Sequence, residues 1–330
     1  MILTRAHDRG VILIALLWIL TALSLIALSF SRETFVEVAA ARNARDLAIS
    51  YYAARAGIAT TAYQIMQRRL VPRGRQLELP GPPDPIDLGL VRGTFDDAAY
   101  EVEIQDESGK VNLNLVGEEQ LQALMAAVGI GKPDSDIITD SIMDWRDPDN
   151  LHRPNGAEDD YYQTLNPPYK AKNGRFDSVE ELLLVRGVTR DFYYGHAERA
   201  PDGSVVSRYG LGRYFTVYAM SQRINVNYAP VEVLMSIPGM VLQTAQQIYE
   251  RRKSKPFATV EEITRTVPVS LGPASLSFLS TDQTGVYTLT ASAHRENSKA
   301  LRVIRAVMML EPREPNGYRI VYWNENVPRL

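Results

Sequence analysis

The sequence contains no cysteine. No disulfide can staple it and no thiolate can hold a metal, so any cross-link between its loops must come from oxygen ligands. Histidine is scarce as well. His7, His152, His196 and His294 stand far apart, and none belongs to a His-Glu-x-x-His pair. There is no Gly-x-Ser-x-Gly elbow and no phosphate-cradling glycine loop, so no residue is assigned a catalytic role and an enzyme is not expected. A net charge of −3 supplies no overall positive field for nucleic acid.

What is present begins with a hydrophobic run. Val11 to Ser31 carries no charge, between a leader that holds Arg5 and Arg9 and ends in Gly10, and the charges Arg32 and Glu33. A secretory signal needs only about 7–15 apolar residues, whereas a bilayer-spanning helix needs about 20. The run therefore reads as a single membrane span over 11–31. Its basic flank keeps the leader cytoplasmic and sends the rest of the chain across. With 45% hydrophobic and 23% charged residues in 330, that remainder can bury a core of its own.

Arg32 to Leu70 has no proline and one glycine, Gly57, so the helix should continue beyond the membrane. Leu47, Tyr51, Ala54, Ile58, Thr61 and Ile65 form an apolar stripe at spacings of three and four, which predicts packing on a globular body. Pro72 to Pro85 is crowded with proline and glycine and reads as a loop. Alternation at Tyr100, Val102 and Ile104, a polar turn from Asp106 to Lys110, and Val111, Leu113 and Leu115 then predict a hairpin. A second hairpin is expected near the other end, with its turn at Glu296 to Ser298, and "RYFTVYAM" from Arg213 is a third strand-rich stretch. Between them lie helical patterns at Glu118–Val128, Ser135–Trp145, Ser178–Arg186 and Val241–Lys253. "FDSVEELLLVRGVT" and "FATVEEITRTVPV" echo each other and suggest two related helical units.

Two stretches carry chemistry. In "VEVLMSIPGMVLQTAQQIYERRKSKPFATVEEI", Pro238 and Gly239 join two helices as in the helix-hairpin-helix units of DNA-binding proteins, but no second glycine follows Met240. A structural SAM-like unit is expected there, with Arg251, Arg252, Lys253 and Lys255 as a solvated basic face. In "SIMDWRDPDNLHRPNGAEDDYYQ", Asp144, Asp147, Asp149, Asn150, Asn155, Glu158, Asp159 and Asp160 share one loop-like stretch. Asp147, Asp149 and Glu158 fit positions one, three and twelve of an EF-hand, but Leu151 and His152 break that motif at five and six. The residues alone leave open a hard cation or a solvated acidic loop.

The leader ending in glycine before a long hydrophobic helix resembles the class III signal of type IV pilins and pseudopilins. "DESGKVNLN", "DWRDPDN...GAEDDYY" and "RINVNYAPVEVLMSIPGM" resemble the K-type minor pseudopilins of the bacterial type II secretion system, in the same order and over nearly the whole chain. The resemblance implies an α+β fold: a pilin-like long N-terminal helix packed on an antiparallel sheet, interrupted by a large α-helical insertion. The expected segments are a cleaved leader (1–10), a membrane and periplasmic helix (11–70), a first pilin-like part (71–115), a mainly helical insertion with the acidic loop (116–275) and C-terminal strands (276–330). It further implies cleavage by a prepilin peptidase between Gly10 and Val11, with methylation of the new N-terminus. Calcium is implied in the acidic loop, with Asp147, Asp149, Glu158 and Asp159 as side-chain ligands. The implied place is the tip of a periplasmic pseudopilus anchored in the inner membrane, where it initiates assembly and supports export of folded proteins. I-type and J-type minor pseudopilins and the inner-membrane secretion platform are the implied partners. Most pilins carry glutamate where this chain has Ala15, and K-type members lack it, so this departure fits the subtype. An intramembrane carboxylate needs a partner, and a tip subunit has none above it. The alternative is a membrane-anchored periplasmic helix-hairpin-helix protein that binds DNA.

Overall fold

The computed structural model describes residues 7–70, 89–199, 205–219, 221–267, 271–325 and 327. Arg5 and the segment from Pro72 to Pro85 lie outside them. Helix α1 runs unbroken over His7–Leu70, about 96 Å at 1.5 Å per residue. Gly10 and Val11 fall in its first turns. Residues 12–45 are exposed throughout, and α1 is long and apolar enough to cross a membrane. Beyond Ser50 the expected stripe is buried through Ala54, Ile58, Thr61 and Ile65, joined by Ala53 and Ala62.

That stripe packs on a five-stranded antiparallel sheet. Strands β1 (Leu90–Phe95) and β2 (Ala98–Asp106) precede the insertion, while β9 (Val286–Arg295), β10 (Leu301–Leu310) and β11 (Tyr318–Asn324) follow it. The order is β1-β2-β9-β10-β11. Alternate residues of one face, among them Val102, Ile104, Leu289, Ala291, Ala293, Ile304, Ala306 and Met308, are buried against α1. Small side chains on both sides let the two backbones approach. A β-carbon on Gly57 would stand 2.7 Å from the Tyr100 ring, which explains the one glycine in this half of the helix.

The C-terminal hairpin is present as β9 and β10, with Asn297 at φ 61° in its turn. The first hairpin is not. Strand β2 pairs with β1 and β9, and the turn after Asp106 is a 3-10 turn, Glu107–Gly109, that carries the chain out of the sheet. Of the alternating Val111, Leu113 and Leu115, only Val111 falls in a strand, the two-residue Val111–Asn112, and that strand pairs with Phe215–Thr216 instead of with β2. "RYFTVYAM" yields only a two-residue strand, because its aromatic residues serve the core of the insertion instead of a ladder.

The insertion has its own core, with buried members from Val111 to Leu279. Its elements are β3 (Val111–Asn112), α2 (Glu118–Ala127), α3 (Lys132–Arg146), α4 (Asp159–Tyr162), a 3-10 helix at Val179–Leu184, α5 (Arg190–Tyr194), β4 (His196–Arg199), β5 (Val205–Arg208) and β6 (Phe215–Thr216). Then follow β7 (Ile224–Asn225), α6 (Val231–Met235), α7 (Leu242–Ser254), α8 (Val260–Thr266), α9 (Pro273–Ser277) and β8 (Leu279–Ser280).

The two halves of this list repeat one plan. Strand β3 pairs in parallel with β6, as β7 does with β8. Asn114 Oδ1 accepts the Phe176 N–H at 2.7 Å while its Nδ2 donates to the Phe176 carbonyl at 3.0 Å. Asn227 holds Phe257 in the same way, at 2.8 and 3.0 Å. Arg146 donates to the carbonyls of Leu113 and Val116, and Arg252 to those of Val226 and Ala229. Glu181 accepts the N–H of Asp177, and Glu262 that of Ala258. The echo in the sequence is thus a structural repeat. The copies differ between arginine and phenylalanine: residues 253–256 suffice in the second, whereas 147–175 fill that place in the first and contain the acidic loop.

Candidate metal centre

Helix α3 ends with Asp140 and Asp144 one turn apart, and the loop folds back over both. Asp140 Oδ2 accepts from the backbone N–H and the side-chain amide of Asn155, each at 3.0 Å. Asp144, fully buried, accepts the N–H of Arg153 at 3.0 Å, and the Arg153 guanidinium pairs with Glu118 at 2.9 Å. Behind them Tyr162 packs edge-on to Trp145 at 5.3 Å and stacks on Tyr169 at 5.2 Å. Arg186 donates to the Gly156 carbonyl at 2.8 Å. These ties fix the start and the back of the loop.

At its front, one carboxylate oxygen from each of Asp147, Asp149 and Glu158 lies within 4.8 Å of the others. Asp149 is exposed, Asp147 half-buried and Glu158 only 1% exposed. Among the described residues neither carboxylate oxygen of Glu158 has a hydrogen-bond partner, nor does Asp147 Oδ1. Burial, followed by the nearby carboxylates of Asp144, Asp147, Asp149 and Asp159, pushes the Glu158 carboxyl up to about 7. Asp147 is also raised, by burial and then by Asp149. Buried acceptors of like charge with no donor are an arrangement that a cation would relieve.

Three of the four expected ligands are therefore together, and Asp159 stands apart. Its Oδ1 accepts the N–H of Ala171 at 2.9 Å and its Oδ2 lies 3.7 Å from Lys170 Nζ, so this carboxylate closes the far side of the loop. Sequence reasoning missed Asp140 as a loop tie. Its signal was its place four residues before Asp144, on the same helix face.

The expected basic face is corrected in part: Lys253 and Lys255 are exposed, but the two arginines are half-buried. Arg252 turns inward onto two carbonyls of the repeat, Arg251 donates to the Lys255 carbonyl and lies 3.6 Å from Glu262, and Lys253 pairs with Glu250 at 2.7 Å. The DNA-binding alternative thereby loses Arg252 as a surface cation. Each repeat arginine stands in the last turn of its helix, within reach of the carbonyls that follow β3 or β7, so arginines that read as surface charge act as cross-braces.

The family model for type II secretion system protein K matches residues 103–195, and a second model of the same description matches 224–281. A type II secretion system protein K from Pectobacterium carotovorum subsp. carotovorum is 26% identical over 283 residues, covering 79% of this chain and 80% of that protein. Both matched segments and most of the chain's length are thus similar to protein K of the type II secretion system. The protein K of Aeromonas hydrophila is 40% identical over 73 residues, 22% of either chain. The fold is shared with a chain in the crystal structure of the GspK-GspI-GspJ complex of enterotoxigenic Escherichia coli, at TM-score 0.62 and 14% identity, over 88% of this chain and all of that one. The first model spans β3 to α5, short of β6, and the second spans β7 to β8; the comparisons support a minor pseudopilin of type II secretion, with an α+β pilin-like fold.

Proposed function

We propose that this minor pseudopilin caps a periplasmic pseudopilus in company with I-type and J-type partners, and that the acidic loop holds calcium. The observation that carries the first part is α1: an uncharged run that continues without a break into a face packed on the sheet. Such a helix anchors a subunit and serves as its assembly rod. Ala15 in place of an acid leaves no buried carboxylate waiting for a subunit above. The leader remains cytoplasmic by the charge of Arg5 and Arg9, a prepilin peptidase cuts after Gly10, and the inner-membrane platform receives the mature chain. N-terminal sequencing of membrane-extracted protein should give Val11, and labelled protein should mark pseudopilus ends. A start at Met1 together with label along the shaft would refute this reading.

The orphaned oxygens of Glu158 and Asp147 support the second part. The group offers oxygen only and no nitrogen or sulfur, which suits calcium, magnesium or manganese; its irregular spacing and mix of buried and exposed carboxylates suit calcium best. Asp147, Asp149 and Glu158 would hold the ion, with backbone carbonyls or water completing the shell. Binding to the folded state alone raises stability by mass action. Calorimetry of the full chain in detergent should show a calcium-dependent rise in Tm that a chelator reverses and Glu158→Ala shrinks. No heat of binding and no change in Tm would reduce the loop to a solvated acidic one.

A further inference from the structure

We propose that the cleft between the open face of the sheet and the helical insertion binds a short peptide through its two charges, the carboxylate on Arg305 and the ammonium group on Glu103. The cavity measures about 640 Å³, within the range of small-ligand sites. Its floor is the sheet face turned away from α1. Cross-strand pairing sets Glu103 opposite Thr290, and Thr290 opposite Arg305, so one row across β2, β9 and β10 carries an anion, a hydroxyl and a cation. All three line the cleft.

The other charges of the cleft have partners of their own, Arg213 among them, which lies over the Tyr214 ring at 5.8 Å. Lys110 Nζ lies 2.5 Å from Glu107, which also accepts from Thr288 Oγ1, and Glu180 accepts the Tyr322 hydroxyl at 2.7 Å. Arg305, half-buried, makes no hydrogen bond or ion pair among the described residues. Glu103 is exposed and takes one bond, from the Gln105 amide at 2.8 Å. Guanidinium favours a two-pronged bond to carboxylate, so Arg305 in a partly desolvated wall selects that group. Tyr194, Tyr218 and Val303, each half-buried, supply apolar and aromatic wall for the body of the ligand.

Spacing gives the size. Two strand intervals of about 4.8 Å separate Glu103 from Arg305 at the backbone, and an extended tripeptide spans about 10 Å. The shared chemistry is a cation and a carboxylate about that far apart. It is offered by a free tripeptide, or by lysine and glutamate side chains two residues apart in a longer polypeptide.

Titration calorimetry of the full chain in detergent with three probes separates these sources: tri-alanine with free ends, its N-acetylated amide, and N-acetyl-Lys-Ala-Glu-amide. Binding of either charged probe without the blocked tri-alanine is the expected result, and which of the two binds names the source. Arg305→Gln and Glu103→Gln should each weaken it at least tenfold while leaving the far-ultraviolet dichroism and Tm unchanged. Absence of heat from both charged probes at millimolar concentration, equal binding of the blocked tri-alanine, or unchanged affinity in well-folded Arg305→Gln protein would each overturn the proposal.

Discussion

Gly156 lies so close beneath Asp144 that a β-carbon on it would stand 1.8 Å from Asp144 Oδ2. Backbone is what the Asp144 carboxylate meets there, and it takes the N–H of Arg153 in the same place. Gly156→Ala should therefore push the loop off α3 and spread the carboxylates that follow it. We expect a loss of about 2–4 kcal/mol in stability and a fall in calcium affinity of at least tenfold, read by urea unfolding and calorimetry. Wild-type affinity in this variant would show that the ion site does not depend on the tie to Asp144.

Asn114→Ala and Asn227→Ala remove the same two hydrogen bonds from the two copies of the repeat. Each strands the N–H and carbonyl of a phenylalanine that is 2% exposed. Losing a partner at a buried backbone group costs roughly 1–3 kcal/mol. The expected losses are similar in the two variants, and only Asn114→Ala should also weaken calcium binding, because only Phe176 follows the acidic loop. Equal effects on calcium would show that the copies are coupled more tightly than their separate bonds imply.

In calcium-free protein the folded state holds the Glu158 proton more tightly than the unfolded chain does, because its carboxyl is raised from 4.5 to about 7. The resulting stabilisation is complete below about pH 4.5 and is lost as the pH rises through about 7. With chelator present, the Tm of wild type should fall across this window relative to Glu158→Gln, which cannot ionise. Parallel curves for the two proteins would remove Glu158 as the source.

Ala15→Glu places a carboxylate in the membrane-spanning part of α1. At a tip position it should meet no partner and should lower the amount of inserted, assembled protein, as measured by membrane fractionation and pseudopilus counts. Improved assembly, with the variant found along shafts, would remove the physical basis for the tip.

The long helix, its buried stripe, the C-terminal hairpin and the acidic loop were legible because each is written locally, as a period, a turn or a cluster of one charge. Partner choice was not. The strand signal at Val111 says nothing of whether Ile104 or Phe215 lies beside it, and pairing with Phe215 depends on more than a hundred intervening residues. Strands β1 and β11 escaped notice because, as edge strands, they carry weak alternation. Asp147, Asp149 and Glu158 could be grouped from spacing; the separation of Asp159 could not, since its neighbour Ala171 arrives from the other end of the loop.

The chain leaves the sheet at Asp106 and returns opposite it, for Asp106 and Tyr287 are direct cross-strand partners. Residues 107–285 thus occupy the position of an ordinary β-turn. The entropy of closing a loop grows only with the logarithm of its length, and a folded insert with adjacent ends brings those ends together itself. The register of β2 on β9 is therefore indifferent to what fills the gap. A pilin-like sheet can acquire, enlarge or exchange its insert without relearning how to pair its strands.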